Sequence, residues 1–166
     1  MEQFSDKLNL KELMQTEGRF VGTTSGVSML PMIKSGRDVV VIEKKTERLK
    51  PWDVALYTRG DSYVLHRVIS VTDFGYIIRG DNCYSDERIN EENVIGVLTS
   101  YFKGEKQVFP NNKSYLKYVK NRLRFYKPRR FFVILKCRIK GVLKRIIKGK
   151  NNAKRKRMAR RTNKTI

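Results

Sequence analysis

Three separate segments of the chain carry side chains that together could break an acyl bond. The first contains Ser28, the second contains His66, which is the only histidine in the sequence, and the third contains Asp81 and Asp86. A hydroxyl, an imidazole and a carboxylate are the nucleophile, the general base and the orienting acid of a serine hydrolase. The sequence therefore offers a residue for each role and two candidates for the acid.

Each segment also has an ordinary structural explanation. Ser28 lies in the segment Ser25–Pro31, which also contains Gly26, and a serine in a loop that contains glycine is usually a turn residue. The histidine lies in the β-type run Val64–Ile69, where a polar ring is commonly a hydrogen-bonded core or surface residue. The acidic loop Arg79–Arg88, which also carries Glu87, is equally typical of turns. Only the combination of the three segments indicates chemistry.

Short runs of β-branched and aromatic residues predict the strands that must position these side chains. A short N-terminal helix comes first, capped by Ser5 or Asp6 and ended by Gly18. The predicted strands are Asp38–Glu43, Asp53–Thr58, Ser62–Val71, Gly75–Ile78 and Val94–Phe102. We therefore expect an α+β fold that is mainly β, with a compact antiparallel core of about a hundred residues.

The positive charge is concentrated in the last third of the chain. Of the 37 Lys and Arg residues, 24 follow Phe102, together with one of the 16 acidic residues, and the part before it is nearly neutral. We therefore predict an N-terminal helix (1–18), a β domain (19–109), a basic amphipathic helical extension (110–150) and a disordered basic tail (151–166).

Helical periodicity predicts two helices in the extension. The first repeats Tyr115, Val119, Leu123 and Tyr126 until Pro128 interrupts it. The second separates basic residues from an apolar face made of Phe132, Leu135, Ile139, Val142, Leu143 and Ile146. Such a helix either lies in a membrane interface among anionic headgroups or packs on the core. We favour the membrane slightly, because packing on the core explains the apolar face but not the density of charge.

Several classes of protein are excluded by the sequence pattern. The longest stretch without charged residues, Phe20–Ile33, is too short and too polar to span a membrane, and the first residues do not resemble a secretory signal. Cys83 and Cys137 with one histidine make neither a disulfide framework nor a zinc site, so we expect free thiols and no cofactor or metal. We expect a cytoplasmic protein, and a peripheral one at the inner membrane face if the basic helix binds lipid.

The motifs around the candidate residues resemble those of the type I signal peptidases and their relatives, the self-cleaving SOS-repressor proteases. The segment S-G-x-S-M-x-P around Ser28 resembles the family's nucleophile box, and Pro51–Tyr57 resembles its G-D-V strand. Gly80–Asn82 with Asp86 resembles the G-D-N box. The boxes follow one another in the family's order, and the resemblance covers roughly Thr23–Thr99.

This resemblance implies a serine endopeptidase with the compact antiparallel β core of that family. Val64–Ile69 resembles the branch in which a histidine replaces the lysine base. The roles implied are Ser28 as the nucleophile and His66 as the general base. For the acid, we favour contact of Asp86 with His66 and give Asp81 a structural role in closing the loop.

The resemblance also implies where a substrate would bind. The backbone N–H of Ser28 would donate to the oxyanion, and Gly26 stands where some members have a serine with a second donor. Substrates of the family bind as extended strands, so we expect an extended segment of a preprotein or small precursor peptide. Met29 and Leu30 either line an apolar wall at this site or belong to the core, and Pro31 favours an extended Leu30.

The sequence departs from the family at three points. Trp52 replaces the glycine expected before Asp53, 13 residues separate His66 from Gly80, and the usual N-terminal membrane anchor is not evident. We therefore expect a minimal catalytic core that works in solution or is attached peripherally to a membrane. A small precursor peptide is then a better substrate than an exported preprotein.

Three other functions are open at this point. The β domain could be a catalytically silent scaffold, with the basic part binding anionic lipid or nucleic acid. A self-cleaving regulatory protease is less well supported, because those relatives use lysine as the base. A cysteine nucleophile at Cys83 is least favoured, since nothing like the nucleophile box surrounds it.

Overall fold

Within the part of the chain that the structure describes, eight antiparallel strands form the curled sheet that carries the three segments. The computed structural model describes residues 10–136 and 138–141. In chain order the described elements are α1 (Leu10–Thr16), β1 (Arg19–Thr23), β2 (Val39–Lys44), β3 (Val54–Arg59), β4 (Ser62–Thr72), β5 (Gly75–Arg79), β6 (Glu87–Asn90), a 3-10 turn (Glu91–Asn93), β7 (Val94–Lys103), β8 (Lys106–Val108) and α2 (Lys113–Arg124). Residues 126–136 and 138–141 are also helical, and we call them the C-terminal helical segment.

The α+β, mainly β fold is confirmed. The five predicted strands are present as β2, β3, β4, β5 and β7, and each begins and ends within one residue of its predicted bounds. The pattern of the sequence does not predict β1, β6 and β8. These strands are only three to five residues long and largely exposed, so they lack the apolar runs that identify a buried strand.

The strand order β1-β2-β7-β3-β4-β5-β6 places the candidate segments around one part of the sheet. The short β8 pairs with residues 101–103 of β7, whereas β3 pairs with residues 94–97 of the same strand. The segment with Ser28 follows β1, His66 lies within β4, and the acidic loop connects β5 to β6. Loops and strands that are distant along the chain therefore have to meet for the three segments to form one site.

Both faces of the central strands are buried. In β3, Val54 and Leu56 belong to one apolar cluster, whereas Ala55 and Tyr57 belong to another. This division follows from the alternation of side chains along a strand. The first cluster also includes residues from α1 and α2, and the second is formed by β3, β4 and β5 with neighbouring residues. His66, which pairs with Ala55, lies in this buried environment.

The helix α2 is part of the core. Tyr115 and Val119 are buried in the first cluster, with Leu123 packed against it. The chain divides into two compact units, Met1–Leu123 and Arg124–Ile166. The structure therefore assigns the first predicted helix of the basic extension to the same unit as the sheet, although we expected the β domain to end at residue 109.

The break between the two predicted C-terminal helices comes before Pro128. The helix α2 ends at Arg124, residue 125 forms a turn, and the C-terminal helical segment begins at residue 126. Pro128 therefore lies in the first turn of a helix, where its missing N–H has no partner to lose. In a continuous helix Pro128 could not donate to the Arg124 carbonyl, and its ring would clash with that group, which explains why α2 ends at Arg124.

Several predicted features lie outside the described residues. They are the caps Ser5 and Asp6, the thiol Cys137, the apolar residues from Val142 onward and the basic tail 151–166. Among the helices that are described, every one is too short or too polar to cross a bilayer. The described residues also contain no cluster of His, Cys, Asp and Glu side chains that could hold a metal ion.

Candidate active site

The nucleophile loop, residues 24–33, follows β1 and places Ser28 in a turn. Gly26 has a φ of 85°, a left-handed conformation that glycine adopts without a steric penalty. The Leu30 N–H donates to the Val27 carbonyl at 3.2 Å and closes the turn around Ser28. The small residues of the S-G-x-S segment are thus explained by the tight path of the backbone.

The end of this loop is tied down by polar contacts. The Ser35 hydroxyl donates to the Thr24 carbonyl at 2.7 Å. Asp38 accepts from the Lys34 N–H at 2.8 Å and from Arg37 Nε at 2.6 Å. Burial alone would raise the pKa of the Asp38 carboxyl, but these donors hold it below the ordinary value. The loop is therefore closed on itself at its base.

His66 is buried, with its ring directed at a tyrosine and a glutamate. Its Nδ1 lies 3.2 Å from the Tyr57 hydroxyl oxygen. The Tyr57 hydroxyl donates to Glu87 Oε2 at 2.8 Å, and Glu87 Oε1 lies 3.7 Å from His66 Nδ1. Arg59 donates to the same carboxylate at 3.1 Å. The histidine therefore has a carboxylate behind it, with a tyrosine hydroxyl between the two.

The direction of these hydrogen bonds assigns the proton on the imidazole. Tyr57 has a single hydroxyl proton, and the Glu87 carboxylate can only accept, so that proton points to Glu87. Burial and Glu87 both raise the pKa of Tyr57, so its hydroxyl stays protonated at neutral pH. The remaining contact is satisfied when His66 Nδ1 donates to the Tyr57 oxygen. This assignment leaves Nε2 unprotonated and able to accept a proton.

The environment of His66 also favours the neutral ring. Burial lowers the pKa of His66 below its ordinary value of 6.5. The Glu87 carboxylate acts in the opposite direction and raises it, while the Arg59 charge lowers it. Because burial prevails, the imidazole is neutral at pH 7, which is the form that a general base requires.

Gly80 is the point where the nucleophile loop and the histidine meet. A Cβ on Gly80 would lie 2.8 Å from the Ser28 backbone oxygen and 2.9 Å from His66 Nε2, so both atoms pack directly against its Cα. Asn82, two residues after Gly80, strengthens this contact. Its backbone N–H donates to the Ser28 carbonyl at 2.7 Å, and its side-chain amide donates to the Val27 carbonyl at 3.2 Å. The nucleophile loop, the acidic loop and the basic nitrogen of His66 are therefore neighbours.

Asp81 holds a structural ion pair in the interior. Arg67 donates to both of its carboxylate oxygens at 2.8 Å, and the Tyr118 hydroxyl of α2 donates to one of them at 2.8 Å. Burial alone would lower the pKa of Arg67, but the hydrogen bonds and charge of Asp81 raise it above the ordinary value. Asp81 thus links β4, the acidic loop and α2.

The position expected for Asp86 is taken by Glu87. Asp86 is about half exposed and pairs with Arg79, which donates to it at 2.8 Å. The structure therefore corrects the expected contact between Asp86 and His66. Glu87 is the first residue of β6 and pairs with Ile78, which belongs to the same apolar cluster as Tyr57, so Glu87 lies on that face, whereas Asp86 precedes the strand. The carboxylate beside the histidine is the one that the family motif does not single out.

Tyr57 and Glu87 receive no role from the sequence alone. One signal was present for the tyrosine, because alternation within Asp53–Thr58 puts Tyr57 on the same face as Ala55. The pairing of Ala55 with His66 then brings the hydroxyl to the ring. For Glu87 the sequence gives no comparable signal, because β6 is short and polar and none of its residues is buried.

The helix α2 reaches both loops through Arg122. Its Nε donates to the Asp81 carbonyl at 2.7 Å, and its NH2 donates to the Leu30 carbonyl at 3.1 Å. Asp81 follows Gly80, and Leu30 lies two residues after Ser28. One guanidinium therefore bridges the acidic loop and the nucleophile loop from outside the sheet.

The residues expected at the substrate side of the site are divided between core and surface. Met29 is buried in the first apolar cluster, so of the two alternatives for this residue the structure supports packing in the core. Leu30 is half-buried and Pro31 is exposed. Val27, next to Ser28, is 64% exposed and is the apolar side chain that the loop presents to solvent.

Cys83 lies beside the same histidine. Its Sγ would be 2.8 Å from a Cβ on Gly80, on the side where His66 Nε2 also packs. Burial raises the pKa of the Cys83 thiol, and the charge of Glu87 raises it further. A thiol with a raised pKa is a poor nucleophile at neutral pH, which disfavours a cysteine mechanism.

Comparison with protein-family models gives no match to this chain, and comparison with curated proteins gives none either. The function has to be argued from the residues and geometry of the site itself.

Proposed function

We propose that this chain is a serine endopeptidase in which Ser28 is the nucleophile and His66 is the general base. The observation that carries the proposal is the meeting at Gly80, where the Ser28 backbone and His66 Nε2 pack against the same Cα. The nitrogen at that point is the unprotonated one, because Tyr57 and Glu87 hold the proton on Nδ1. A serine nucleophile needs a base in this protonation state within reach.

In the proposed reaction, Ser28 Oγ attacks the carbonyl carbon of a peptide bond while His66 Nε2 takes the hydroxyl proton. The tetrahedral intermediate then collapses to an acyl-enzyme as His66 gives that proton to the leaving amine. In the second half, His66 takes a proton from a water molecule that attacks the ester. The ester bond to Ser28 breaks, its oxygen regains the proton, and the carboxylic acid product leaves.

The negative charge of the tetrahedral oxygen would be met by backbone donors. The Ser28 N–H is the proposed donor, since it is adjacent to the attacking oxygen. Gly26 offers no side-chain hydroxyl, so this oxyanion site would depend on the backbone conformation of the loop. The left-handed φ of Gly26 and the closed turn keep that conformation fixed before substrate binds.

Glu87 would stabilise the imidazolium that forms during each half of the reaction. When Nε2 gains a proton, His66 becomes a buried cation, which burial disfavours. The Glu87 carboxylate, 3.7 Å from Nδ1 and bridged to it by Tyr57, offsets part of that cost. Glu87 and Tyr57 are therefore positioning residues in the proposal, and His66 is the residue that transfers the proton.

The conformation of Trp52 supports the resemblance to the signal peptidase motif. Trp52 has a φ of 84°, in the left-handed region that favours glycine, and it stands where the signal peptidase motif has a glycine. Its N–H donates to Val68 and its carbonyl accepts from Arg67, so the turn before β3 is fixed in this strained form. The same backbone shape is thus required here despite the different residue.

An extended peptide is the proposed substrate. β1 stands at one end of the strand order and leads directly into the nucleophile loop, so a peptide could add to its edge as a further strand. Val21 and Val27 are both more than half exposed along this path and would contact apolar substrate side chains. A preprotein segment or a small precursor peptide has the required extended form.

The test is covalent labelling of the purified protein with a fluorophosphonate or penem probe. We expect labelling of the parent and of Cys83→Ala, and none of Ser28→Ala or His66→Ala. Peptide mapping of the adduct should identify Ser28. Thermal melting of each variant, recorded alongside, separates loss of the site from loss of the fold.

Two results would contradict the proposal. Labelling that persists in Ser28→Ala would assign the reactive group elsewhere. A folded parent that is not labelled, even with anionic vesicles present, would favour a catalytically silent scaffold whose basic part binds lipid or nucleic acid.

A further inference from the structure

The C-terminal helical segment exposes six large apolar side chains. They lie between 36% and 65% exposed and comprise Phe131, Phe132, Val133, Ile134, Leu135 and Ile139. Contiguous exposed apolar surface of this kind marks a site of interaction in a soluble protein. The segment therefore presents a surface for a partner that accepts apolar side chains.

Two lysines stand at the borders of the stripe that part of these side chains forms. In a helix, Phe131, Phe132 and Leu135 share one side, because residues three and four positions apart are neighbours. Lys127 lies one turn before Phe131 and Lys136 lies one turn after Phe132, on opposite borders of the apolar stripe, and both are exposed. Long lysine side chains at such borders can extend to a charged layer while the stripe is buried.

The charge of the surrounding sequence selects the partner. No acidic residue follows Glu105, so nothing in this part of the sequence repels an anionic surface. An anionic bilayer offers both negative headgroups and an apolar layer for aliphatic and aromatic side chains. A nucleic acid offers the charge and can stack on Phe, but it provides no comparable site for the exposed Leu135 and Ile139 of the same side.

We infer that the C-terminal helical segment lies in the interface of an anionic membrane. Phe132 and Leu135 enter the boundary of the acyl layer, and Lys127 and Lys136 contact the headgroups. This attachment stands independently of the proposed peptidase activity, since no residue of the candidate active site takes part in it.

The experiment is co-sedimentation of the full chain with vesicles of phosphatidylcholine alone or mixed with phosphatidylglycerol. We expect strong binding only to the mixed vesicles, weakening as salt is added. Phe132→Glu with Leu135→Glu should reduce that binding by about tenfold or more, because two apolar side chains leave the acyl boundary. The matched control is Phe74→Glu, an exposed phenylalanine at the β4–β5 turn, which should bind as the parent does.

A second pair of substitutions tests the charge separately. Lys127→Gln with Lys136→Gln should weaken binding to the mixed vesicles by about fivefold for each lysine removed. The same pair should leave the weak binding to phosphatidylcholine unchanged. All these positions are exposed, so equal thermal melting of the variants and the parent is expected.

Three outcomes would overturn the inference. The first is equal binding to both kinds of vesicle. The second is full binding by Phe132→Glu with Leu135→Glu, which would reduce the contact to charge alone, as for a nucleic acid. The third is a parent that self-associates through this surface and ignores vesicles, while the glutamate variant is monomeric, which would make a second copy the occupant.

Discussion

His66 has Tyr57 and Glu87 beside its Nδ1, whereas Asp86, one residue before Glu87, pairs with Arg79. At the scale of single residues this choice of carboxylate sets the chemistry of the ring. A carboxylate on the Nδ1 side keeps the proton there and leaves Nε2 basic. A carboxylate paired with arginine on the other side of the strand has no such effect. The two neighbouring acids therefore make a matched pair for an experiment.

We predict that Glu87→Gln slows labelling of Ser28 by about tenfold or more, because glutamine cannot stabilise the buried imidazolium. Asp86→Asn is the control and should label at nearly the parent rate, since Asp86 contacts Arg79. The pH profile adds a second readout. Burial lowers the pKa of His66, so the labelling rate of the parent should be half-maximal below pH 6.5 and constant above neutrality.

The direction in which the pH midpoint of Glu87→Gln should move follows from the effect of Glu87 on the pKa of His66. Glu87 raises the pKa of His66, so its neutralisation should move the midpoint of the profile to still lower pH. A variant with the parent's rate and midpoint would show that Glu87 plays no part. A large effect of Asp86→Asn on the rate would return the orienting role to that residue.

At the scale of elements, the site is made by the approach of two loops to one strand. The acidic loop packs against the nucleophile loop and His66 at Gly80, where no side chain separates the backbones. Arg122 of α2 then bridges the two loops through the Leu30 and Asp81 carbonyls. The sheet fixes the histidine, whereas the loops and α2 fix the distance of the serine from it.

We predict that Gly80→Ala abolishes probe labelling while most of the stability is retained. The new methyl group would meet the Ser28 backbone oxygen at 2.8 Å and His66 Nε2 at 2.9 Å, so the nucleophile loop must move away from the base. Labelling kinetics and thermal melting are the measurements. Cys83→Ala, which removes a side chain at the same point, should keep the labelling of the parent. Normal labelling of Gly80→Ala would mean that Ser28 does not depend on this approach.

At the scale of the whole molecule, the unit Met1–Leu123 is joined across its core by one buried ion pair. Arg67 contacts Asp81, the Tyr115 hydroxyl, the Trp52 carbonyl and Met32 Sδ, so a single side chain connects the sheet, both loops and α2. Removing one partner of a buried pair leaves a charge without compensation. Loss of either partner should therefore lower the free energy of unfolding of the whole unit.

We predict that Asp81→Asn lowers the free energy of unfolding by about 3–5 kcal/mol, as measured by urea denaturation. The control is Asp86→Asn, which removes a half-exposed pair with Arg79 and should cost about 0–1 kcal/mol. An equal loss of unfolding free energy in the two variants would show that the Arg67–Asp81 pair stabilises the fold no more than the Arg79–Asp86 pair does. Labelling of any Asp81→Asn protein that remains folded should also fall, since Asp81 lies beside Gly80.

The sequence alone determined the features that depend on neighbouring residues, and the tertiary structure decided those that depend on contacts between distant segments. Periodicity is a local property, so the five strands with buried apolar runs, the α1 helix and the charge boundary were predictable from neighbouring residues. Ser28 and His66 could be proposed as candidates because each sits in a motif with its own turn or strand. The carboxylate beside His66 could not be predicted in this way, because it depends on the register in which the short β6 pairs with β5.

The same reason explains the other differences. Whether Met29 lines the site or fills the core depends on how the nucleophile loop packs, and residues far along the chain decide that packing. The helix α2 has enough basic residues to resemble the extension that follows it, but its Tyr115 and Val119 are buried against the sheet. Burial and cross-strand contact arise only when distant segments meet, and that meeting determines which of two neighbouring carboxylates lies beside His66.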